Sequence, residues 1–127
     1  MKEFVLMFRM DISTPEAHPS PRQLETDMVD WMEWIDYITD KGQLAEGGNH
    51  LAFKGKVIRP YNNISNEPYT EKNESVTGFI IILAKDLDDA EHLAKKCPIL
   101  QNEGTSVEIR ETITPWTLQN TRRTGIL

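Results

Sequence analysis

Six residues combine reactive chemistry with a position at which a strand end, a helix or a loop could present them: Arg9, Trp34, Glu46, Tyr69, Glu71 and Glu74. Arg9 closes the apolar run EFVLMFR. On the face of Val5 and Met7 its guanidinium could hold a carboxylate or a carbonyl. The plainer reading, which we prefer, pairs it with Asp11 or Glu108. Glu46 stands before Gly47-Gly48 and could act as an acid or base if partly buried; a solvated strand-end glutamate is the simpler state. Tyr69, Glu71 and Glu74 share the loop that leads into the strongest apolar run. A phenol beside carboxylates can move protons, although Pro68 and Tyr69 are equally suited to pinning that loop across a subunit interface. Trp31 lies on an apolar helical stripe and reads as core, whereas Trp34 lies off that stripe and reads as a pocket wall or dimer contact.

Other chemistries find no support. One cysteine and three scattered histidines show no metal-ligand spacing, and no cofactor motif is present. Cys97 precedes Pro98 and reads as a buried helix-end thiol rather than a nucleophile. His50 and His92 read as exposed. The 127 residues carry 14 basic and 20 acidic side chains, a formal charge of −6. That balance argues against direct nucleic-acid binding. No apolar run approaches the ~18 residues of a membrane span, and the N-terminal apolar run is too short for a secretory signal. A soluble cytoplasmic protein is the expectation.

The elements that must position these residues follow from periodicity. Glu3–Arg9 and Val76–Ala84 read as buried strands. Ser20-Pro21-Arg22-Gln23 reads as a helix start with a capping box. Leu24, Met28, Trp31, Ile35 and Ile38 then mark one helical face that ends at Lys41-Gly42. Leu44–Phe53 and Lys56–Arg59 read as a pair of shorter strands turning at Lys54-Gly55, and residues 61–75 as a long loop. Asp86 caps a second helix with Leu87, Ala90, Leu93, Ala94 and Cys97 on its inner face. Thr105–Ile113 alternates as a half-buried strand. Residues 1–114 form one domain on this reading, and 115–127 a tail.

The order of elements is that of an α+β ferredoxin-like split βαβ unit with an inserted hairpin: an antiparallel sheet with two helices on one face. Its two central strands, FVLMF and FIIIL, are apolar on both sides. Helices cover one side only. The economical cover for the other is a second copy of the sheet in a two-fold homodimer. The competing cover is the tail with Trp116 and Leu118.

Several segments together carry a family resemblance: VLMFR, MVDWMEWIDYITDKGQLAEGGNHLA, EPYTEKNESVTGFIIILAKDLDDAEHLAKKCPIL and TSVEIRE. With these the chain closely resembles the YCII-related family, in particular its branch named for an Asp-Gly-Pro-Phe motif. Here Asn66-Glu67-Pro68-Tyr69 stands at the motif. Glu71 and Glu74 match the Glu-x-x-Glu that follows it, and Asn73 replaces the common lysine. The resemblance implies a dimeric α/β barrel. By analogy with enzymes of that fold it implies a small aromatic or carbonyl-bearing ligand and cofactor-free proton-transfer or isomerase-like chemistry. A His–Asp pair serves as the proposed dyad in the enzyme-like branch, but the first helix here holds no histidine and His18 lies in the loop before it. The resemblance equally admits a non-catalytic ligand-sensing or regulatory module linked to sigma factors.

Overall fold

The computed structural model describes residues 1–66 and 74–113. Its main sheet has the strand order β2-β5-β1-β6, formed by Leu44–His50, Ser75–Ala84, Lys2–Met10 and Thr105–Glu111, with every pairing antiparallel. Helices α1 (Pro21–Asp40) and α2 (Leu87–Ala94) are the two crossovers. This is the expected α+β ferredoxin-like arrangement, with the two apolar strands β1 and β5 side by side at its centre.

Local chemistry explains where the helices begin and end. The Ser20 hydroxyl accepts the Gln23 backbone N–H at 3.2 Å, and Pro21 occupies the first helical position. The capping box is only half made, because the Gln23 side chain donates to Asp27 at 2.8 Å instead. Gly42 ends α1 at φ +68, a conformation that costs a glycine little. Asp86 caps α2 by accepting the Asp89 N–H at 2.8 Å.

The core lies between the helices and one sheet face. Phe4, Leu6 and Phe8 of β1 and Ile80, Ile82 and Ala84 of β5 are almost fully buried there against Trp34, Ile38, Leu93 and Ala94. Each large side chain among them contributes roughly 2 kcal/mol of burial. Among the described residues no buried side-chain polar atom lacks a partner. Gln43, itself buried, donates to the Leu83 carbonyl at 3.0 Å and to Asp89 at 3.1 Å, tying the end of β5 to α2. The opposite sheet face carries Val5, Met7, Phe79, Ile81 and Leu83, all half-buried. The tail residues Trp116 and Leu118 lie outside the described residues. No helix among the described residues is long and apolar enough to cross a membrane.

Three local expectations need correction. The strand from Leu44 does not form a hairpin with the one from Lys56. It joins the main sheet as an edge strand on β5, and Leu51 extends the contact by donating to the Thr77 carbonyl at 2.9 Å. The strand read at Lys56–Arg59 is β3 (Val57–Arg59), and its hairpin partner is β4 (Asn63–Ser65), inside the stretch read as loop. Its turn places Tyr61 and Asn62 in succession at φ 66 and 55, the double left-handed geometry of a tight hairpin turn. A tyrosine there gives no turn signal in a sequence. Finally, Leu87 is 56% exposed, so the inner face of α2 starts at Ala90.

Candidate functional site

The two halves of α1 meet different surroundings. Trp34 and Ile38 are buried in the core, whereas Leu24 and Met28 are 51% and 47% exposed. The N-terminal half therefore stands over a cleft of about 510 Å³ rather than over the sheet. Phe8 and Met10 enter it from the end of β1, Met28 and Trp31 from α1, and His50 and Phe53 from the end of β2 and the segment after it. Pro98 and Ile99, in the turn that follows α2, close the far side.

Aromatic rings build the wall. Trp31 meets Phe8 edge-on with centroids 4.9 Å apart, and Trp34 behind it at 5.2 Å. The His50 imidazole lies 5.4 Å from Trp31, tilted by 49°. Phe53 is held edge-on by His18 at 5.4 Å, and His18 Nε2 in turn lies 2.9 Å from the Ile12 carbonyl. Three carboxyl groups, Glu16, Asp27 and Asp30, share this lining with His50. No lysine or arginine stands among the described residues that line it.

β2 delivers His50 to this place through an irregular path. Its register against β5 slips twice, between Leu44 and Glu46 and between Glu46 and Asn49. Gly48 sits in the second slip at φ +62, with its backbone pressed onto the Phe79 carbonyl. A β-carbon there would collide with that oxygen. Gly78 opposite is equally tight, since a β-carbon on it would lie 2.8 Å from the Asn49 carbonyl. Only two glycines allow these backbones to approach so closely at this point.

The residues singled out in the sequence lie elsewhere. Arg9 is on the opposite sheet face, as its parity with Val5 and Met7 requires. Its Nε and Nη2 donate to one Glu108 oxygen at 3.1 and 3.0 Å, and its Nη1 donates to the Glu74 backbone carbonyl at 3.0 Å. The preferred pairing with Glu108 is the one observed. The Arg9 hydrogen bonds, with help from Arg110, hold the Glu108 carboxyl below the usual glutamate value. Glu74 thus reaches Arg9 through its backbone and not its carboxylate. Glu46 is exposed on β2 opposite Ile81, on that same open face. Tyr69 and Glu71 lie outside the described residues.

Trp34 is not among the residues that line the cleft. It is 4% exposed and donates its indole N–H to the Leu93 carbonyl at 3.1 Å. Trp31, read as core, is the tryptophan that faces the cleft. The reason is a one-position shift of the inner seam. Selecting apolar residues alone picks 28, 31, 35 and 38, whereas the seam that turns inward is 27, 31, 34 and 38. Asp27 belongs to that seam and is half-buried, as is Asp30 one turn away from Trp34. A periodicity that discards acids cannot find them. His50 is exposed, as read, yet lines the cleft. Its signal was the glycine pair before it, which marks a strand forced against its neighbour.

Two further groups are quiet. Cys97 is buried, and burial pushes its thiol up to about 12, so it offers no nucleophile at neutral pH. No group of three His, Cys, Asp or Glu side chains able to hold a metal ion occurs among the described residues.

The model of the YCII-related domain family matches residues 7–117. The chain belongs to that family. No curated protein matches it.

Proposed function

We propose that this chain binds a small molecule in the cleft under α1 and exchanges a proton with it through His50, without a cofactor. The carrying observation is the His50 imidazole set 5.4 Å from Trp31 in a cleft of about 510 Å³. That volume suits a small organic ligand, and the lining is the usual mixture of aromatic surface with a few polar groups. Histidine is the side chain best suited to moving protons near neutral pH. In an isomerisation His50 would take a proton from one ligand atom and return it to another, so nothing is consumed.

The protomer would work as a cytoplasmic two-fold homodimer of the Asp-Gly-Pro-Phe branch. The apolar open face of the sheet supports the dimer, and a single buried free thiol suits a reducing compartment. Arg9 and Glu46 belong to that face, and the Glu74 backbone carbonyl meets Arg9 there. We assign these three to the inter-subunit space rather than to the reacting centre, because Glu108 already engages Arg9 and Glu46 lies on the face opposite the cleft.

A second reading, a ligand-sensing module associated with transcription, rests on one observation. The His50 imidazole makes no hydrogen bond among the described residues, whereas a catalytic imidazole is usually oriented by a partner. Solvent-deuterium exchange into a bound ligand separates the two. Ligand that exchanges with the parent chain and not with His50→Gln supports chemistry. Ligand that binds to both chains and exchanges with neither leaves the sensing module.

A further inference from the structure

We propose that the cleft selects a cation: a molecule that carries a protonated nitrogen on an apolar or aromatic body. The inference rests on the cleft being the ligand site and adds the charge class of what enters.

The charge of the lining carries it first. Glu16, Asp27 and Asp30 face the cleft, and no lysine or arginine does so among the described residues. Some acids elsewhere in the fold find basic partners: Glu108 with Arg9 and Arg110, Glu91 with Lys95, Glu111 with Lys2. In the cleft they do not. Glu16 and Asp30 make no side-chain hydrogen bond or ion pair among the described residues. Asp27 uses one oxygen to accept from Gln23 at 2.8 Å and leaves the other open.

The ordinary reasons for acids on a helix are missing here. Acids stabilise a first helical turn, but the first turn of α1 contains none. Asp27 and Asp30 come two and three turns in. Neither has a basic residue three or four positions away, and they stand three apart, where like charges repel. Both are half-buried, so water screens that repulsion less than on an open surface.

The aromatic lining is an independent second feature. Phe8, Trp31 and Phe53 offer ring surface to the same space, and ring faces attract ammonium groups while carrying the apolar part of the ligand. One protonated amine would relieve the carboxyl pair and use the rings together. A carboxylate or phosphate ligand would meet the repulsion of three carboxyl groups, offset only by His50 and neutral amide and hydroxyl donors.

The test titrates the whole chain with three matched probes: 2-phenylethylamine, 2-phenylethanol and 3-phenylpropanoate. Binding is read from the Trp31 indole N–H resonance, with Trp34 as the internal control. The amine should bind at least about tenfold tighter than the alcohol, and the carboxylate weakest. Asp30→Asn should weaken the amine roughly tenfold and leave the alcohol unchanged, with Asp27→Asn as the second variant. Added salt should weaken the amine alone. Equal binding of all three probes, or a variant that weakens alcohol and amine alike, overturns the cation inference and leaves the cleft standing. If no probe moves the Trp31 resonance, the cleft itself falls and the inference with it.

Discussion

Alanine at Gly48 should damage both the fold and the cleft, and the size of the damage can be worked from three glycines in one chain. Gly47 has an ordinary backbone conformation and open space around it, so Gly47→Ala should change stability by no more than about 0.5 kcal/mol. Gly42 has φ +68, and a β-carbon placed there would meet nothing within 4 Å, so Gly42→Ala carries conformational strain alone, about 1 kcal/mol. Gly48 has the same strain at φ +62 and a collision with the Phe79 carbonyl. The obstacle is backbone, so no side-chain rotation relieves it. β2 must draw away from β5 where Asn49 faces Phe79 and His50 faces Gly78, and the Leu51 donation to Thr77 lies at the same end. Losing two or three such bonds at roughly 1 kcal/mol each brings the total for Gly48→Ala to about 3–4 kcal/mol.

That is a large share of a typical domain stability of roughly 5–15 kcal/mol. Urea unfolding of the three variants side by side measures it, with an unchanged denaturant slope confirming that the folded state is compared. The same displacement should pull His50 away from Trp31, which the His50 ring resonances report under native conditions. If Gly48→Ala unfolds at the same urea concentration as Gly42→Ala, the close approach of β2 to β5 is not what delivers His50 to the cleft.

Three further outcomes follow from the same geometry. Trp34→Phe should destabilise by roughly 2–3 kcal/mol, since it shrinks a buried side chain and removes the indole donor to the Leu93 carbonyl, which keeps only the Lys96 N–H at 3.3 Å, whereas Trp31→Phe should cost distinctly less; thermal or urea melts compare them. The Cys97 thiol, raised from 9.0 to about 12, holds its proton in the folded chain long after the unfolded chain has released it. Stability should therefore be complete below pH ~9 and fall as pH rises from there towards 12, by up to about 4 kcal/mol, and a thiol reagent at pH 8 should label only unfolded chain. Glu108 has the opposite sign: its lowered value gives stability above the ordinary glutamate range that is lost as pH falls through the folded value, so Arg9→Met should flatten the acid limb of a pH-dependent melt.

How far the structure is legible in the sequence depends on whether a residue's neighbours are set by period or by path. β1, α1, β5, α2 and β6 are regular, and their apolar periods of 2 and 3.6 suffice to place them. β2 and β4 escape because their pairing is set by path. Gly48 lets one strand slip in register, and two left-handed residues at Tyr61 and Asn62 close the other. Neither event leaves a repeating pattern. The site escapes for a related reason. A helical period says which residues share a face, not whether that face meets a core or a void. On α1 the difference is written in the polar members of the seam: Asp27 replaces an apolar residue where the helix leaves the sheet, and Trp34 and Ile38 resume it where the helix returns.

The same reasoning separates the two unmatched surfaces of the fold. The open sheet face holds Val5, Met7, Phe79 and Ile81, with Arg9 paired to Glu108 and the exposed Glu46 on β2. A face that is largely apolar and whose arginine is already engaged is suited to a flat, permanent contact. The cleft has the reverse composition. Its rings already pack on one another, and its carboxyls and imidazole are the groups without full partners among the described residues. Asp27 and Asp30, half-buried and without an ion pair among the described residues, are the groups an arriving polar molecule would stabilise most. On the proposed reading an occupant of the cleft would be selected by charge and an occupant of the sheet face by shape. Substitutions at Asp27 and Asp30 should accordingly alter ligand choice without altering assembly, and substitutions at Met7 and Ile81 should do the converse.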